Sequence, residues 1–366
     1  MKSTSQRNKF RLYLSIVSLV IIYSCTFIFP IQYECEIIEN GLYKIHINTQ
    51  GFGTKVDIYQ NIAIVGAPYD TLASVHIFEK TSTDWECTAS FYCEDSINNK
   101  YADDVAIFND IVVFSDYLNQ KVYSYRKIDN NWTEINVINL PNDEEFENFG
   151  FSIDIFDGCL FIGPRKGPAI VYKLIQNEWS EITRLNVGDF QDMRCYNIDV
   201  CITDKFAATS KNGAIYLYER QGDDFTNRVK LDSTDNIYRS LFCLIDISDT
   251  TMVVGARWIG TSWSEIHVYT YCDNKWILKD EFDCGDMMSL GYSIGVNSDI
   301  ITYCVSYDFP FMKENLTIYQ YDTTRTEKRW EFKKILKYDS PSKDVGISND
   351  NIIWSGNNCA YIYEYR

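Results

Sequence analysis

A single sequence pattern recurs along this chain, most completely from Phe52 to Phe91, FGTKVDIYQNIAIVGAPYDTLASVHIFEKTSTDWECTASF. It runs through an aromatic-Gly start, a short strand, a tight polar turn, an apolar strand ending in Gly-Ala-Pro, a strand ending in an aromatic, and a Trp. Alternating apolar runs separated by turn residues predict a four-stranded antiparallel unit. The residue opening the fourth strand returns as Trp85, Trp132, Trp179, Phe225, Trp276 and Trp330, at steps of 47, 47, 46, 51 and 54 residues. The aromatic closing the third strand keeps the same beat as Phe78, Tyr125, Tyr172, Tyr218, Tyr269, Tyr319 and Tyr363.

Seven third strands are followed by only six fourth strands, because the sequence stops at Arg366, just after Cys359 to Tyr365. The missing strand is expected at the front, where Gly41-Leu42-Tyr43-Lys44-Ile45 lies over Asn131-Trp132-Thr133-Glu134-Ile135. Units of this size cannot bury both sheet faces alone, so they stack radially, and a strand exchanged between the two ends closes the ring. The expectation is an all-β, seven-bladed propeller over residues 41–366. No Trp-Asp or Gly-His pair, the marks of one common propeller repeat of this period, occurs.

Phe52-Gly53 with Val65-Gly66-Ala67-Pro68, and Phe149-Gly150 with Ile162-Gly163-Pro164, resemble FG-GAP repeats, the repeat of the integrin α-subunit propeller and of many surface proteins. Val253-Val254-Gly255-Ala256 carries a partial copy, whereas Tyr101-Ala102 and Ser115-Asp116 replace the motif in the second unit. The resemblance implies an extracellular recognition or adhesion propeller. It also implies calcium loops of the Asp-x-Asp-x-Asp-Gly-x-x-Asp type, and there the chain departs from the family. Tyr59-Gln60-Asn61, Phe108-Asn109-Asp110, Phe156-Asp157-Gly158, Ser248-Asp249-Thr250 and Asn297-Ser298-Asp299 are short turns with too few oxygens for a hard cation. No metal or other cofactor is expected.

Ahead of the repeats, Lys2, Arg7, Lys9 and Arg11 precede an uncharged stretch from Leu12 to Ile31, with no acidic residue before Glu34. Twenty helical residues, about 30 Å, would cross a bilayer with the basic flank cytoplasmic. The expected organisation is a basic stub over 1–11, a transmembrane signal anchor over 12–31, a linker over 32–40 and the propeller on the luminal or extracellular side. A cleaved signal, leaving a secreted protein, remains an alternative. So does a lipoprotein site at Ile22-Tyr23-Ser24-Cys25, although the apolar run continues through Phe29.

The whole chain has a net charge of −17, and setting aside the four N-terminal basic residues leaves 30 basic against 51 acidic. Such a surface repels phosphate backbones and argues against nucleic acid as a partner. Twelve cysteines invite a disulfide reading, but Cys87 and Cys93, like Cys195 and Cys201, lie six apart in one extended segment, and Cys159, Cys243, Cys304 and Cys359 fall in separate units. Buried free thiols are the expectation. His76 and His267 share one place in two third strands, a structural rather than catalytic position, and His46 falls in the closing strand.

Asp57, Asp154, Asp199 and Asp246 recur in the first strands, which line a propeller's channel, with Ala106, Gly295 and Gly346 in the other units. Such carboxylates either bind a cation or anchor neighbouring backbone amides, the second being preferred because buried polar groups must find partners. The candidate ligand-binding patch is Trp258, Trp263, Tyr307, Phe309 and Phe311, in the two longest connections from second to third strand. Asn131-Trp132-Thr133 and Asn315-Leu316-Thr317 match the glycosylation acceptor pattern. The expected function is non-catalytic binding of a protein or glycan by a membrane-tethered propeller. The alternatives are an enzyme on extracellular glycans using Asp57 and Asp154, and a structural envelope protein.

Overall fold

A computed structural model describes residues 33–39, 41–70, 74–92, 101–142, 146–185, 198–211, 213–232, 240–258, 264–283, 288–307, 314–322, 329–338 and 344–365. They form seven antiparallel sheets, six of four strands and one of five, each built from consecutive strands except where the chain ends meet. Blade 1 comprises Lys55–Tyr59, Ile62–Ala67, Ser74–Lys80 and Trp85–Tyr92. The inner strands of blades 2 to 7 are Val105–Phe108, Ser152–Phe156, Asp199–Ile202, Ser240–Ser248, Met288–Asn297 and Val345–Ile347.

Local sequence explains the strands. Inner and second strands join through two-residue turns, and Gln60, Asn109, Asp157 and Asp249 take φ of 51°, 55°, 47° and 52° there. Asn and Asp tolerate that left-handed conformation, which matches the twist of a tight hairpin. All six residues of the second strand Ile111–Asp116 are buried, because neighbouring blades cover both faces. The outer strand Glu178–Leu185 is half exposed, with one buried residue, and correspondingly polar.

The core lies between blades rather than inside them. One cluster joins Val113 and Val122 of blade 2 to Phe149, Ile153 and Ile162 of blade 3, with Trp179 packed against it. Equivalent clusters take Trp85, Trp132, Phe225, Trp276 and Trp330 onto the blade before their own. Polar contacts add direction: Trp179 Nε1 donates to Ser124 Oγ of blade 2 at 2.9 Å, and Trp132 Nε1 to Glu79 Oε1 of blade 1 at 3.3 Å. The recurring tryptophan is therefore a blade-to-blade contact.

The aromatic-Gly and Gly-Ala-Pro segments serve the same seams. Gly53 donates its amide to the Gly66 carbonyl at 3.0 Å, tying the two segments of blade 1 together. With φ of 82°, Gly53 lies so close to blade 7 that an added Cβ would fall 2.0 Å from the Cys359 carbonyl oxygen. A Cβ on Gly66 would meet the Ala102 methyl of blade 2 at 2.9 Å. One glycine thus faces the preceding blade and the other the following blade. In blade 2, Ala102 takes the glycine's place at φ 69° and donates to the Ser115 carbonyl at 2.8 Å, so the geometry survives loss of the motif.

Closure uses the N-terminal strand Leu42–Ile47, which pairs with Cys359–Glu364. Two expectations need correction. Leu42 pairs with Tyr363, as Glu134 pairs with Tyr125, so Leu42 corresponds to Glu134 and not to Trp132; the slip is two residues, which keeps every side chain on its face. The segment 32–40, read as a linker, contains a strand, Tyr33–Glu39, that pairs outside the closing strand and makes blade 7 five-stranded. Its acidic, mostly exposed sequence hides the alternation, yet Tyr33 packs edge-on against Phe78 at 5.9 Å. The expected apolar helix over 12–31 lies outside the described residues, among which no helix is long and apolar enough to cross a membrane.

Candidate functional site

The inner strand of each blade is a sheet edge, and its outward amides have no strand to pair with. Carboxylates cap them. Asp57 of blade 1 accepts its own neighbour's amide, Ile58, at 2.8 Å on Oδ1, and the Ile107 amide of blade 2 at 2.9 Å on Oδ2. Asp154 does the same with Ile155 at 2.8 Å and Ile202 of blade 4 at 2.7 Å. Asp246 binds Ile247 at 2.8 Å and Val296 of blade 6 at 2.7 Å. Asp199 binds Val200 at 3.1 Å and Ile245 of blade 5 at 2.9 Å.

Two further aspartates complete this set. Asp104 Oδ2 accepts the Ile153 amide of blade 3 at 2.8 Å, and Asp344 Oδ2 the Val56 amide of blade 1 at 2.9 Å. They stand two residues before Ala106 and Gly346, on the same strand face. The pairing of Asp199 with Ser210 matches that of Lys55 with Gly66, so Asp199 also belongs to this outer level, and Cys201 corresponds to Asp57. The aspartates therefore occupy two levels, Asp57, Asp154 and Asp246 deeper, Asp104, Asp199 and Asp344 nearer the strand starts. At the seam between blades 6 and 7 no described carboxylate caps an inner-strand amide; the bonds there include Ser293 Oγ to the Val345 carbonyl at 3.2 Å and Asn297 Nδ2 to Asn349 Oδ1 at 3.3 Å.

Clustering has an electrostatic cost. Burial raises the pKa of Asp57 to about 8 despite the two amide bonds, with the charges of Asp344 and Asp246 adding to it. Burial likewise raises Asp199 to about 7, Asp246 and Asp344 to about 6, and Asp154 well above the carboxylate range. Lys55 Nζ bonds Asp104 Oδ1 at 3.1 Å across the seam between blades 1 and 2. Burial would lower its pKa, but the charges of Asp104, Asp344 and Asp199 outweigh that and hold it above the ordinary lysine value.

These side chains line a channel of about 800 Å³. At the hairpin end, Tyr59, Phe108 and Phe156 form an aromatic arc, with centroids 4.8 and 4.4 Å apart. At the opposite end the wall includes Lys55, Asp104 and Tyr69, with Tyr117 and Phe151 5.7 Å apart. A smaller pocket of about 230 Å³ lies over the seam between blades 7 and 1, between Gly51 and Asn358, whose Oδ1 accepts the Gly51 amide at 2.8 Å.

Among the described residues, the other sequence candidates do not line the channel. His76 is fully buried between Ser74 Oγ at 2.9 Å and Ser90 Oγ at 2.8 Å, and burial lowers its pKa to about 3. His267 holds the equivalent place in blade 5, 3.2 Å from Glu265. Asn131 is exposed at a turn, an accessible position, whereas the Asn315 side chain lies outside the described residues. Of the proposed aromatic patch, Trp258 and Tyr307 end strands, but their side chains, and all of Trp263, Phe309 and Phe311, lie outside the described residues. Among the described cysteines Cys159, Cys201, Cys304 and Cys359 are buried thiols and Cys35, Cys87 and Cys272 half-buried ones. Asp104 and Asp344 escaped the sequence reading because they precede the repeat's aspartate position by two residues, a spacing that an i, i+2 search would have found.

No family model matches the chain, and no curated protein is similar to it in sequence. Similarity is structural. The crystal structure of the RRP9 WD40 repeats matches with a TM-score of 0.62 at 8% identity, over 92% of this chain and 100% of that one. The WD40 domain of Toxoplasma gondii coronin matches at 0.55 and 10%, over 89% and 87%. A catalytically inactive virginiamycin B lyase from Staphylococcus aureus with quinupristin also matches at 0.55 and 10%, over 91% and 99%. At such identities the likeness establishes the propeller fold alone, a fold that serves binding modules and enzymes alike.

Proposed function

We propose that this protein is a non-catalytic recognition propeller of the FG-GAP kind, tethered to a membrane through residues 12–31 and binding a protein partner on the luminal or extracellular side. The observation that carries the non-catalytic reading is the commitment of both oxygens of Asp57, Asp154, Asp199 and Asp246 to backbone amides. A glycosidase acid pair needs carboxyls free to face a scissile bond and a water. Here the same groups hold the blades together.

The strand Tyr33–Glu39 refines the tether. Tyr33 pairs with Ile47, at the end of the closing strand that leads into Lys55, so the chain enters the propeller on the face of the second-to-third connections. The strands ending at Trp258 and Tyr307 end on that same face. The apolar run ends at Ile31, one residue before the strand, a reach of only a few ångströms per residue. A partner held by that face would then belong to the same membrane. Protease protection of the full chain in sealed microsomes, with mass analysis of its N-terminus, tests the reading. Protection with residues 1–31 retained supports it, and digestion of the propeller removes it.

A further inference from the structure

The outermost strands of two neighbouring blades are charged in opposite senses. In blade 6, Arg329–Tyr338 carries Arg329, Lys333, Lys334 and Lys337 against a single acid, Glu331. In blade 7, Tyr33–Glu39 carries Glu34, Glu36 and Glu39 and no base. The outermost strands of blades 1, 2, 3 and 5 have a slight excess of acid, and that of blade 4, Asp224–Asp232, is balanced. A basic edge therefore stands out on a chain of net charge −17.

Both strands have a free side. Each ends the strand order of its sheet, so its outward backbone groups pair with no described strand. Both also expose apolar side chains, with Ile37 57%, Ile38 48% and Phe332 52% exposed, and exposed apolar clusters mark contact surfaces. Lysine alone protects an edge against chance pairing. The edges of blades 1 to 5 nevertheless do without a basic excess, and protection gives no reason for an exposed phenylalanine beside the lysines. Val229, Ile277 and Leu278 are exposed on blades 4 and 5, where the strands bear no such charge.

Within one chain the two edges already meet at a point. Lys334 Nζ pairs with Glu39 Oε1 at 3.3 Å and lies 4.4 Å over the Tyr363 ring of blade 7. That contact places the acidic and basic strands side by side on the rim, with Glu34, Glu36 and Lys333 exposed beyond it. A second copy turned by a two-fold rotation sets its basic strand against the acidic strand of the first, and its acidic strand against the basic one. Each half then opposes the five-stranded blade 7 to the four-stranded blade 6, so both halves reach equally far. Because these blades are adjacent, the two contacts form together and the pair closes without open growth. Opposite charge selects this arrangement over acid facing acid.

We propose that two copies of this chain associate through these edges, Tyr33–Glu39 of each against Arg329–Tyr338 of the other. The inference does not depend on the membrane or partner reading. Analytical ultracentrifugation of the full chain in a density-matched non-ionic detergent tests it with two charge-reversed variants. One carries Glu34→Lys and Glu36→Lys, the other Lys333→Glu and Lys337→Glu. The unaltered chain is expected to form a dimer, and each variant alone to associate at least about tenfold more weakly, since like charges then face each other. An equimolar mixture of the two variants is expected to recover the dimer, because one of its contacts is unaltered and the other is charge-swapped. A folding defect is not repaired by mixing. A monomeric unaltered chain overturns the proposal. So does a dimer indifferent to both variants, as association through residues 12–31 would give, and so does a loss that mixing leaves in place.

Discussion

Asp57 and Ile107 are joined across the seam between blades 1 and 2 by a 2.9 Å bond from the Ile107 amide to the carboxylate. The same relationship recurs at five other seams from alternate levels of the inner strands. Replacing Asp57 by Ala leaves the Ile58 and Ile107 amides without their acceptor, while water in the channel supplies part of the loss. The expected destabilisation is about 1–3 kcal/mol in denaturant unfolding, with Asp57→Asn costing less because one oxygen acceptor remains.

The seam between blades 6 and 7 is different, since the side-chain bonds described there, among them Ser293 Oγ to the Val345 carbonyl and Asn297 Nδ2 to Asn349 Oδ1, bring no carboxylate to the Val345 and Ile347 amides among the described residues. Local opening tracks the stability of the contacts that must break. Hydrogen exchange followed by mass spectrometry is therefore expected to show faster exchange in Val345–Ile347 than in the inner strands holding Ile107 and Ile202. Equal protection at all seven seams would mean that the carboxylates do not govern seam opening.

Stability should fall as pH rises through neutrality. The channel aspartates have folded-state pKa values raised by burial, to about 6 for Asp246 and Asp344, 7 for Asp199 and 8 for Asp57. A group whose folded pKa is raised binds its proton more tightly in the native state, so its stabilisation is complete below the unfolded value near 4 and is lost as pH passes the folded value. The melting temperature is expected to be higher at pH 5.5 than at pH 8.5. Asp57→Asn should flatten the upper part of that slope, and a profile rising towards pH 8.5 would contradict the shifts.

How much of this was legible in sequence depends on whether a feature repeats in register. The tryptophan beat and the closing aromatics gave blade number and strand order because each unit must offer the same surface to its neighbour. Asp57, Asp154 and Asp246 were visible for the same reason. Asp104 and Asp344 were not, because an edge amide can be capped from either of two levels, and a strand's period of two makes both levels equivalent to the next blade. Asp199 was visible but assigned to the wrong level, since only the pairing with Ser210 fixes its register. The strand Tyr33–Glu39 was missed because an exposed outer strand need not alternate. The aromatic arc was hidden because Tyr59, Phe108 and Phe156 read simply as residues flanking turns.

Glycine at the seam can be tested against the one position that dispenses with it. Gly53→Ala places a methyl 2.0 Å from a backbone oxygen of blade 7 and forces a left-handed φ on an alanine, so a loss of more than about 3 kcal/mol is expected. Ala102 already carries that φ. Ala102→Gly relieves roughly 1–2 kcal/mol of backbone strain but gives up about 0.8 kcal/mol of methyl burial, and adds chain entropy to the unfolded state. The gain and the two losses nearly cancel, and the expected change is within about 1 kcal/mol. Comparable, large losses in both variants would show that the seam tolerates neither residue and that close approach alone does not explain the aromatic-Gly motif.

Closure offers the last test. Lys80 of blade 1 reaches the closing strand, donating to the Tyr43 hydroxyl at 2.7 Å, lying 4.0 Å over the Tyr43 ring and pairing with Glu364. Leu42–Ile47 covers the third strand of blade 7 with Ile45 and Ile47 almost fully buried, whereas most of Tyr33–Glu39 is exposed. A chain beginning at residue 41 should therefore remain folded with a modestly lower melting temperature. A chain beginning at residue 48 uncovers the edge of Cys359–Glu364 and should aggregate, since an unpaired apolar edge is a template for association. Size-exclusion chromatography and thermal unfolding of the two truncations separate these outcomes, and a stable monomer beginning at residue 48 would mean that the ring does not need its exchanged strand.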